Sequence, residues 1–151
     1  MIKRLFAGLF IASFALVSAG CGGGASTQEV VIEGNDQMKY NVGIINVKAG
    51  TEVTLTLNNV GSLPKESFGH NVVILQPGTD PVEFANAGME NVANDYIAPD
   101  MANLVVAKTE MLGGGETDTI TFTAPAEPGQ YPFVCTFPGH ASMMQGVMVI
   151  T

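Results

Sequence analysis

The sequence predicts an all-β fold, a β-sandwich or barrel built from short strands. Segments rich in β-branched and aromatic residues recur along the chain between turn signals, which is the pattern of such folds. In residues 53–58 and 118–123 apolar and polar side chains alternate, so each strand should turn one face to the core and the other to water. The 151 residues suffice for one domain with a sizeable core.

Eight strands are predicted in order along the chain. They are expected at residues 28–33, 43–47, 52–58, 70–76, 103–108, 117–124, 129–135 and 146–151. The third and sixth show the alternation described above, and the others are runs rich in Val, Ile or aromatic residues. Residues 79–100 lack alternation and contain Gly88 and two prolines, so we expect a flap outside the sandwich, with helical turns around 82–87. The glycine run 113–115 marks a turn.

The N-terminal residues 1–20 have the layout of an export signal. Lys3 and Arg4 precede an apolar run over 5–17, and small residues follow at 18–20. The apolar run is shorter than the approximately 20 residues that a membrane-spanning helix needs. We therefore predict that the protein is exported and that this segment is removed.

Cys21 determines the fate of the protein after export. It comes after Ala-Gly and before a Gly-rich segment, which resembles a bacterial lipoprotein signal in which this cysteine is acylated. Residues 21–27 would then be a Gly/Ser-rich tether, and 28–151 the folded domain. Ordinary signal cleavage after residues 17–19 is the alternative, but the flexible glycines favour a tether. The predicted location is the periplasm or the outer face of the cell membrane, with a lipid anchor.

Charge and cysteine content narrow the classes of partner. The formal net charge is −8, and without Lys3 and Arg4 four basic residues stand against fourteen acidic ones, which gives −10. Nucleic acid and anionic lipid surfaces are therefore not expected as partners, whereas a protein with a basic patch would be attracted, unless the charge serves solubility alone. Cys21 and Cys135 are the only cysteines and each has another use, so no disulfide is expected.

A set of soft metal donors is the strongest functional signal. Cys135, His140 and Met144 lie within ten residues, and His70 opens a predicted strand far upstream. One thiolate, two imidazoles and a thioether are the donors of trigonal blue-copper sites with a weak axial Met, which transfer single electrons. Each residue alone is more often a packing residue, but packing does not require these types at these intervals. The set predicts one copper ion per chain.

Other chemistries fit less well. Zinc prefers Cys, His and carboxylate ligands, and a thioether would be a poor fourth ligand for it. A thiol hydrolase built on Cys135 and His140 would need a third orienting group and an open substrate cleft, and neither is evident. A catalytic second copper would need more imidazoles than the two histidines supply. We therefore predict that the protein is not an enzyme.

At these residues the sequence resembles the cupredoxin family, and within it the azurins and auracyanins. Residues 135–140, with Met144 nine residues after the cysteine, have the azurin spacing. Further similar motifs cover nearly all of residues 30–151: Gly34-Asn35-Asp36-Gln37-Met38, Leu63-Pro64-Lys65, Gly69-His70-Asn71, Asp95-Tyr96 with Pro99-Asp100, and Gly129-Gln130-Tyr131. The resemblance implies a Greek-key β-sandwich of about eight strands with a helix-containing flap.

The resemblance also implies a ligand set. His70, Cys135 and His140 would be the strong ligands, Met144 a weak axial ligand, and the Gly69 carbonyl a distant contact on the opposite side. Asn71 would tie the two ligand-bearing segments together. The chain departs from azurins in lacking the N-terminal disulfide, in carrying Val72 where Trp is common, and in having Asn59 and Lys108 in place of two further histidines.

The function implied is that of a monomeric electron carrier between membrane-associated redox partners such as cytochromes. Electrons would leave through His140 and an apolar patch, for which the candidates are Met38, Phe68, Phe137, Pro138 and Met143. Met143, a rival for the axial position, is expected at the surface instead. A copper store or delivery protein is the alternative, since the chain has eight methionines, although most are scattered and suit core packing.

Overall fold

Two β-sheets share one core in the computed structural model, which describes residues 27–151. The strands are β1 Thr27–Asn35, β2 Lys39–Tyr40, β3 Ile44–Val47, β4 Glu52–Asn59, β5 Val73–Leu75, β6 Val105–Lys108, β7 Thr117–Thr123, β8 Gly129–Val134 and β9 Gln145–Ile150. One sheet has the order β2-β1-β4-β7 and the other β3-β9-β8-β5-β6. The predicted all-β sandwich is confirmed.

Alternation in the sequence explains the first sheet. Strand β4 buries Val53, Leu55 and Leu57 and leaves the intervening threonines partly exposed. It pairs in parallel with β1 and antiparallel with β7, where Thr56 and Thr119 bring their hydroxyl oxygens within 2.9 Å on the outer face. Burying each such aliphatic side chain contributes about 1.5–3 kcal/mol.

The second sheet closes the core from the other side. Its strands supply Ile45, Ile74, Phe133, Met148 and Ile150, which are all at most 6% exposed and pack against the apolar face of the first sheet. Strand β8 is central and pairs antiparallel with both β5 and β9. Because β8 leads directly to Cys135, the central strand of this sheet positions the predicted thiolate.

Several predicted boundaries differ from the structure. A ninth strand, β2, was not predicted, because it has only two residues and follows a left-handed turn at Met38, whose φ is 54°. Strand β5 begins at Val73 rather than at His70. Just before it, the Val72 N–H donates to the Thr109 hydroxyl, and the Val72 carbonyl accepts the Thr109 N–H. The fifth and seventh predicted strands also shorten, to Val105–Lys108 and Gly129–Val134.

The predicted flap lies against the outer face of the second sheet. Helix α2, Pro81–Ala87, confirms the expected helical turns, and Asp80 caps it by accepting the N–H groups of Val82 and Glu83, both at 2.9 Å. Short 3-10 helices follow at Val92–Asn94 and Pro99–Leu104. Phe84 buries α2 against β5 and β8.

Two further details shape the ends of the sandwich. A four-residue helix α1, Lys65–Phe68, precedes Gly69 and was not predicted from the sequence. Gly88 ends α2 against a later part of the flap, where a Cβ atom on it would lie 1.8 Å from the Tyr96 carbonyl oxygen. Within residues 27–151, no helix is long and apolar enough to cross a membrane. The predicted export signal and Cys21 lie outside the described residues.

Candidate metal centre

Three predicted ligands meet at one end of the sandwich. One ligand atom from each of His70, Cys135 and His140 lies within 4.8 Å of the other two, and all three residues are buried. His70 comes from the segment after α1, Cys135 from the end of β8, and His140 from the loop between β8 and β9. The structure therefore brings His70 together with two residues that lie 65 and 70 positions further along the chain.

The His70 ring is oriented by a main-chain acceptor. Its Nε2 atom lies 3.0 Å from the Asn35 carbonyl oxygen, which can only accept, so Nε2 carries the proton. The other ring nitrogen, Nδ1, thus presents a lone pair, and it is the single buried side-chain N or O atom without a hydrogen-bond partner among residues 27–151. Such a group costs about 1–3 kcal/mol when it stays unpaired, whereas a metal ion would satisfy it.

Cys135 supplies a sulfur in the same buried space. Its Sγ atom lies 3.8 Å from the Gly69 carbonyl oxygen and 3.7 Å from His140 Nδ1. Burial raises the pKa of the Cys135 thiol to about 11. The metal-free protein therefore holds a protonated thiol at neutral pH, and binding of a soft cation has to displace this proton.

His140 stands in a tightly turned loop. Gly139 adopts a left-handed conformation with φ of 84°, and the His140 carbonyl oxygen accepts the N–H groups of Met143 and Met144 at 3.0 and 2.8 Å. Burial, and then the proximity of His70, lower the pKa of His140 to about 4. Burial also lowers the pKa of His70. Both imidazoles are thus neutral at pH 7, the form in which histidine binds metals.

Met144 and Met143 have different environments, as expected. Met144 is fully buried and packs with Cys135, Phe137 and Met111, while Met143 is 52% exposed. The Met144 carbonyl oxygen accepts the Cys135 N–H at 2.9 Å, which closes the loop on itself. Met144 is therefore the methionine of this pair whose thioether shares the buried space of the site.

Asn71 ties the two ligand segments together, as the resemblance implied. Its Oδ1 atom accepts the Thr136 N–H at 2.9 Å, and its Nδ2 atom donates to Thr136 Oγ1 at 2.8 Å. Thr136 Oγ1 in turn donates to the Asp95 carbonyl oxygen at 2.6 Å, and the Asp95 carboxylate pairs with Lys108 at 2.8 Å. The flap is thus hydrogen-bonded to the residue beside Cys135.

Sequence reasoning missed several groups around the site. It assigned no role to Gly34, where a Cβ atom would lie 3.2 Å from the His70 ring, or to the Asn35 carbonyl. It also missed Thr136 and Asp95, which complete the Asn71 network. Gly34 acts through its lack of a side chain, and Asn35 and Asp95 act through their main-chain carbonyl groups. Residue type does not predict such roles, so only the position of these residues in the family motifs could have indicated them.

Aromatic rings surround the histidines. The ring centroids of Phe68 and Phe137 lie 4.6 and 4.7 Å from that of His140, and Tyr96 packs edge-on against Phe137 at 5.4 Å. His140 itself keeps only 2% of its surface exposed. Two members of the predicted apolar patch, Phe68 and Phe137, are therefore in contact with the ring of His140.

The fold and the buried donor set define a cupredoxin, a β-sandwich with a single copper site at one end. The chain belongs to the plastocyanin/azurin family of copper-binding proteins, which it matches over residues 26–151. The azurin of Pseudomonas aeruginosa is 37% identical over 99% of both chains. The outer membrane protein H.8 of Neisseria gonorrhoeae is 41% identical over 79% of this chain and 65% of its own length.

Solved structures agree with the sequence comparison. Auracyanin A, a blue copper protein from Chloroflexus aurantiacus, superimposes with a TM-score of 0.74 at 29% identity, over 83% of this chain and 100% of its own. The predicted resemblance is confirmed, and so is copper as the cofactor. The donor chemistry fits the metal, because a buried sulfur, an unpaired imidazole nitrogen and a second neutral imidazole are soft ligands suited to copper.

Proposed function

We propose that the protein is a type 1 copper carrier that passes one electron at a time between redox partners outside the cytoplasm. The observation that carries this proposal is the buried group of His70, Cys135 and His140, whose ligand atoms lie within 4.8 Å of one another. His70 Nδ1, Cys135 Sγ and His140 Nδ1 would hold the copper as its strong ligands. The Met144 thioether would be a weak ligand and the Gly69 carbonyl a more distant contact.

The chain's own residues make the site suited to rapid transfer. Bound copper supplies a centre that gains and loses one electron between its cupric and cuprous states. The hydrogen bonds from His70 Nε2 to the Asn35 carbonyl and from the Thr136 N–H to Asn71 Oδ1 hold the ligands in place before metal binds. Burial of all three donors excludes water. Little rearrangement of the protein is then needed when the charge of the site changes.

The residues around the site favour a carrier over an enzyme or a copper store. Both histidines of the chain are committed to this one site, so no imidazole is left for a second, catalytic copper. Met144 and Met148 are fully buried, and Met111 is 6% exposed, which supports packing rather than loose binding of several cuprous ions. We propose a monomer that meets partners such as cytochromes briefly and is not itself a catalyst.

A charge at Met143 tests the proposed exit for electrons. Met143→Lys and Met143→Glu should each slow electron self-exchange about tenfold or more, because a charge desolvated in the encounter costs about 1.4 kcal/mol or more. The blue spectrum should stay unchanged. Stopped-flow mixing or NMR line broadening measures the rate. Met89→Lys is the matched control, since Met89 is 44% exposed and lies in the flap after α2.

The sign of the charge separates desolvation from steering. With a charged partner, simple steering would make Lys and Glu act in opposite directions, whereas desolvation makes both harmful. Wild-type rates in both variants would remove this surface from the mechanism. If the wild-type protein also bound several cuprous ions, storage or delivery of copper would become the better function.

The axial ligand offers an independent test of the site. Met144→Leu should keep the blue colour but raise the reduction potential, because the axial ligand tunes the potential of such centres. Cyclic voltammetry measures the change, and Met143→Leu is the control at the exposed neighbour. A potential equal to wild type in Met144→Leu, or a shift in Met143→Leu of the same size, would argue against Met144 as the axial ligand.

We further propose export followed by lipidation of Cys21, with a tether that runs from Cys21 to the start of β1 at Thr27. The signal-like residues 1–20 support this, as does similarity to a protein named for the outer membrane. The full-length protein should partition into detergent and carry acyl chains on Cys21, as measured by mass spectrometry. Cys21→Ser protein should be soluble and keep its copper chemistry. An unmodified N-terminus at Gly20 would instead establish ordinary cleavage.

A further inference from the structure

The flap turns a sharp corner at Asp95 and Tyr96. These two successive residues both have a left-handed backbone, with φ of 49° and 58°. Residues with a side chain rarely adopt this conformation, because the Cβ atom crowds the main chain, and it persists where surrounding contacts hold it. The conformation of this flap corner, Asp95–Tyr96, therefore depends on the contacts that it makes.

Both residues of the flap corner contact the loop that carries the copper ligands. The Asp95 carbonyl oxygen accepts the Thr136 hydroxyl at 2.6 Å. The Tyr96 ring packs edge-on against Phe137, with ring centroids 5.4 Å apart. The Phe137 ring in turn lies 4.7 Å from that of His140. A shift of the flap corner would therefore move groups that pack directly around the site.

An ion pair ties the flap corner to β6. Lys108, the last residue of that strand, donates to the Asp95 carboxylate, with Nζ 2.8 Å from Oδ2. The two side chains are 31% and 23% exposed, and partly buried pairs are screened less than exposed ones. Glu110 lies 3.8 Å from the same Nζ, but its side chain is 74% exposed. Asp95 is therefore the principal partner of Lys108.

We propose that Lys108 is a positioning residue of the copper centre, which holds the left-handed flap corner and, through it, the Thr136 hydroxyl and the Phe137 ring. Strand β6 belongs to the sheet whose central strand leads to Cys135, so the ion pair fixes the flap to the same rigid element. The inference rests on the proposed electron-transfer function. It adds a residue outside the ligand set that keeps the surroundings of the site in one geometry.

Two substitutions break the ion pair with opposite changes of charge. Lys108→Met removes a positive charge and Asp95→Asn a negative one, and asparagine tolerates the left-handed backbone as aspartate does. In the metal-free protein, both should lower the protection of the Tyr96 amide against hydrogen exchange by about threefold, as measured by NMR. In the copper protein, both should broaden the electron paramagnetic resonance lines of the cupric centre, because a loosened corner permits a spread of ligand geometries.

The direction of the effects separates positioning from charge. Loss of the ion pair affects both variants alike, whereas a through-space effect of charge would act in opposite directions in the two. Glu110→Gln is the matched control, since it removes the same charge as Asp95→Asn beside the same Nζ and should behave as wild type. Lys108→Arg should also behave as wild type, because the guanidinium keeps both the charge and the donor.

Several results would overturn the role of Lys108. These are wild-type protection and line widths in both variants, changes of opposite sign, and an equal effect in Glu110→Gln. Lower protection with unchanged cupric lines would also overturn it, because the ion pair would then stabilise the flap without positioning the site. If Lys108→Met does not fold, the comparison of Asp95→Asn with Glu110→Gln still decides. A wild-type protein without a blue form would instead contradict the proposed function, while hydrogen exchange in the metal-free protein tests the flap corner separately.

Discussion

Cys135→Ser is expected to abolish the blue colour completely. The strong visible absorption of such a centre comes from the bond between cupric ion and thiolate, and a serine hydroxyl does not provide this soft donor. Visible absorption spectroscopy of protein loaded with cupric ion measures the loss. Circular dichroism should show that the β-sandwich remains, because serine is close in size to the buried cysteine.

The other cysteine provides the control. Cys21 lies in the proposed tether, so Cys21→Ser should leave the blue band at wild-type intensity. A blue Cys135→Ser protein would rule out this thiolate as the ligand. A wild-type protein that bound copper tightly without colour, or that preferred zinc and gave no blue form, would contradict the type 1 assignment itself.

Asn71→Leu should produce the second large effect, a loss of stability together with a disturbed copper site. The substitution leaves the buried Thr136 N–H without its acceptor and removes a second bond to Thr136 Oγ1. A buried polar group stranded in this way costs about 1–3 kcal/mol, so the free energy of unfolding should fall by at least about 2 kcal/mol. Denaturant titration of the metal-free protein measures this fall, and the width and position of the blue band report on the site.

A double-mutant cycle tests whether the effect comes from this contact. Thr136→Val keeps the N–H but loses the hydroxyl, so the two substitutions should be non-additive by about 0.5–3 kcal/mol. Asn86→Leu, at an exposed position of α2, is the control for the added side chain. Additive losses would mean that Asn71 and Thr136 contribute independently, and an unchanged blue band would show that the tie does not orient the ligands.

The strands that the sequence predicted well are those whose pattern is dictated by burial. Strands β4 and β7 have one face in the core and one in water, so a shift by one residue would expose every apolar side chain. The elements that the sequence did not predict, or whose ends it misplaced, are short or end in side-chain contacts. Strand β2 has two residues and helix α1 has four, which is too few to produce a period. His70 falls outside a strand because it forms only an isolated bridge with Leu112. Cys135 falls outside β8 because the next N–H, that of Thr136, bonds the Asn71 side chain instead of a neighbouring strand.

The sequence by itself determined the chemistry of the site. Donor identity is a property of residue type, and Cys135, His140 and Met144 lie on one loop, so their spacing already constrained their geometry. His70 could be added because few other soft donors exist in a chain with two histidines. The family motifs then extended the interpretation to the fold and to the role of Asn71.

Only the tertiary structure decided how these donors are held. The Asn35 carbonyl selects the proton position on His70, the Asp95 carbonyl binds Thr136, and the Asn71 carbonyl accepts the Tyr40 hydroxyl. Every residue except proline has the same carbonyl and N–H groups, so residue type does not indicate which of them will face the site. Their positions follow from how distant segments pack, and packing exists only once the chain is folded.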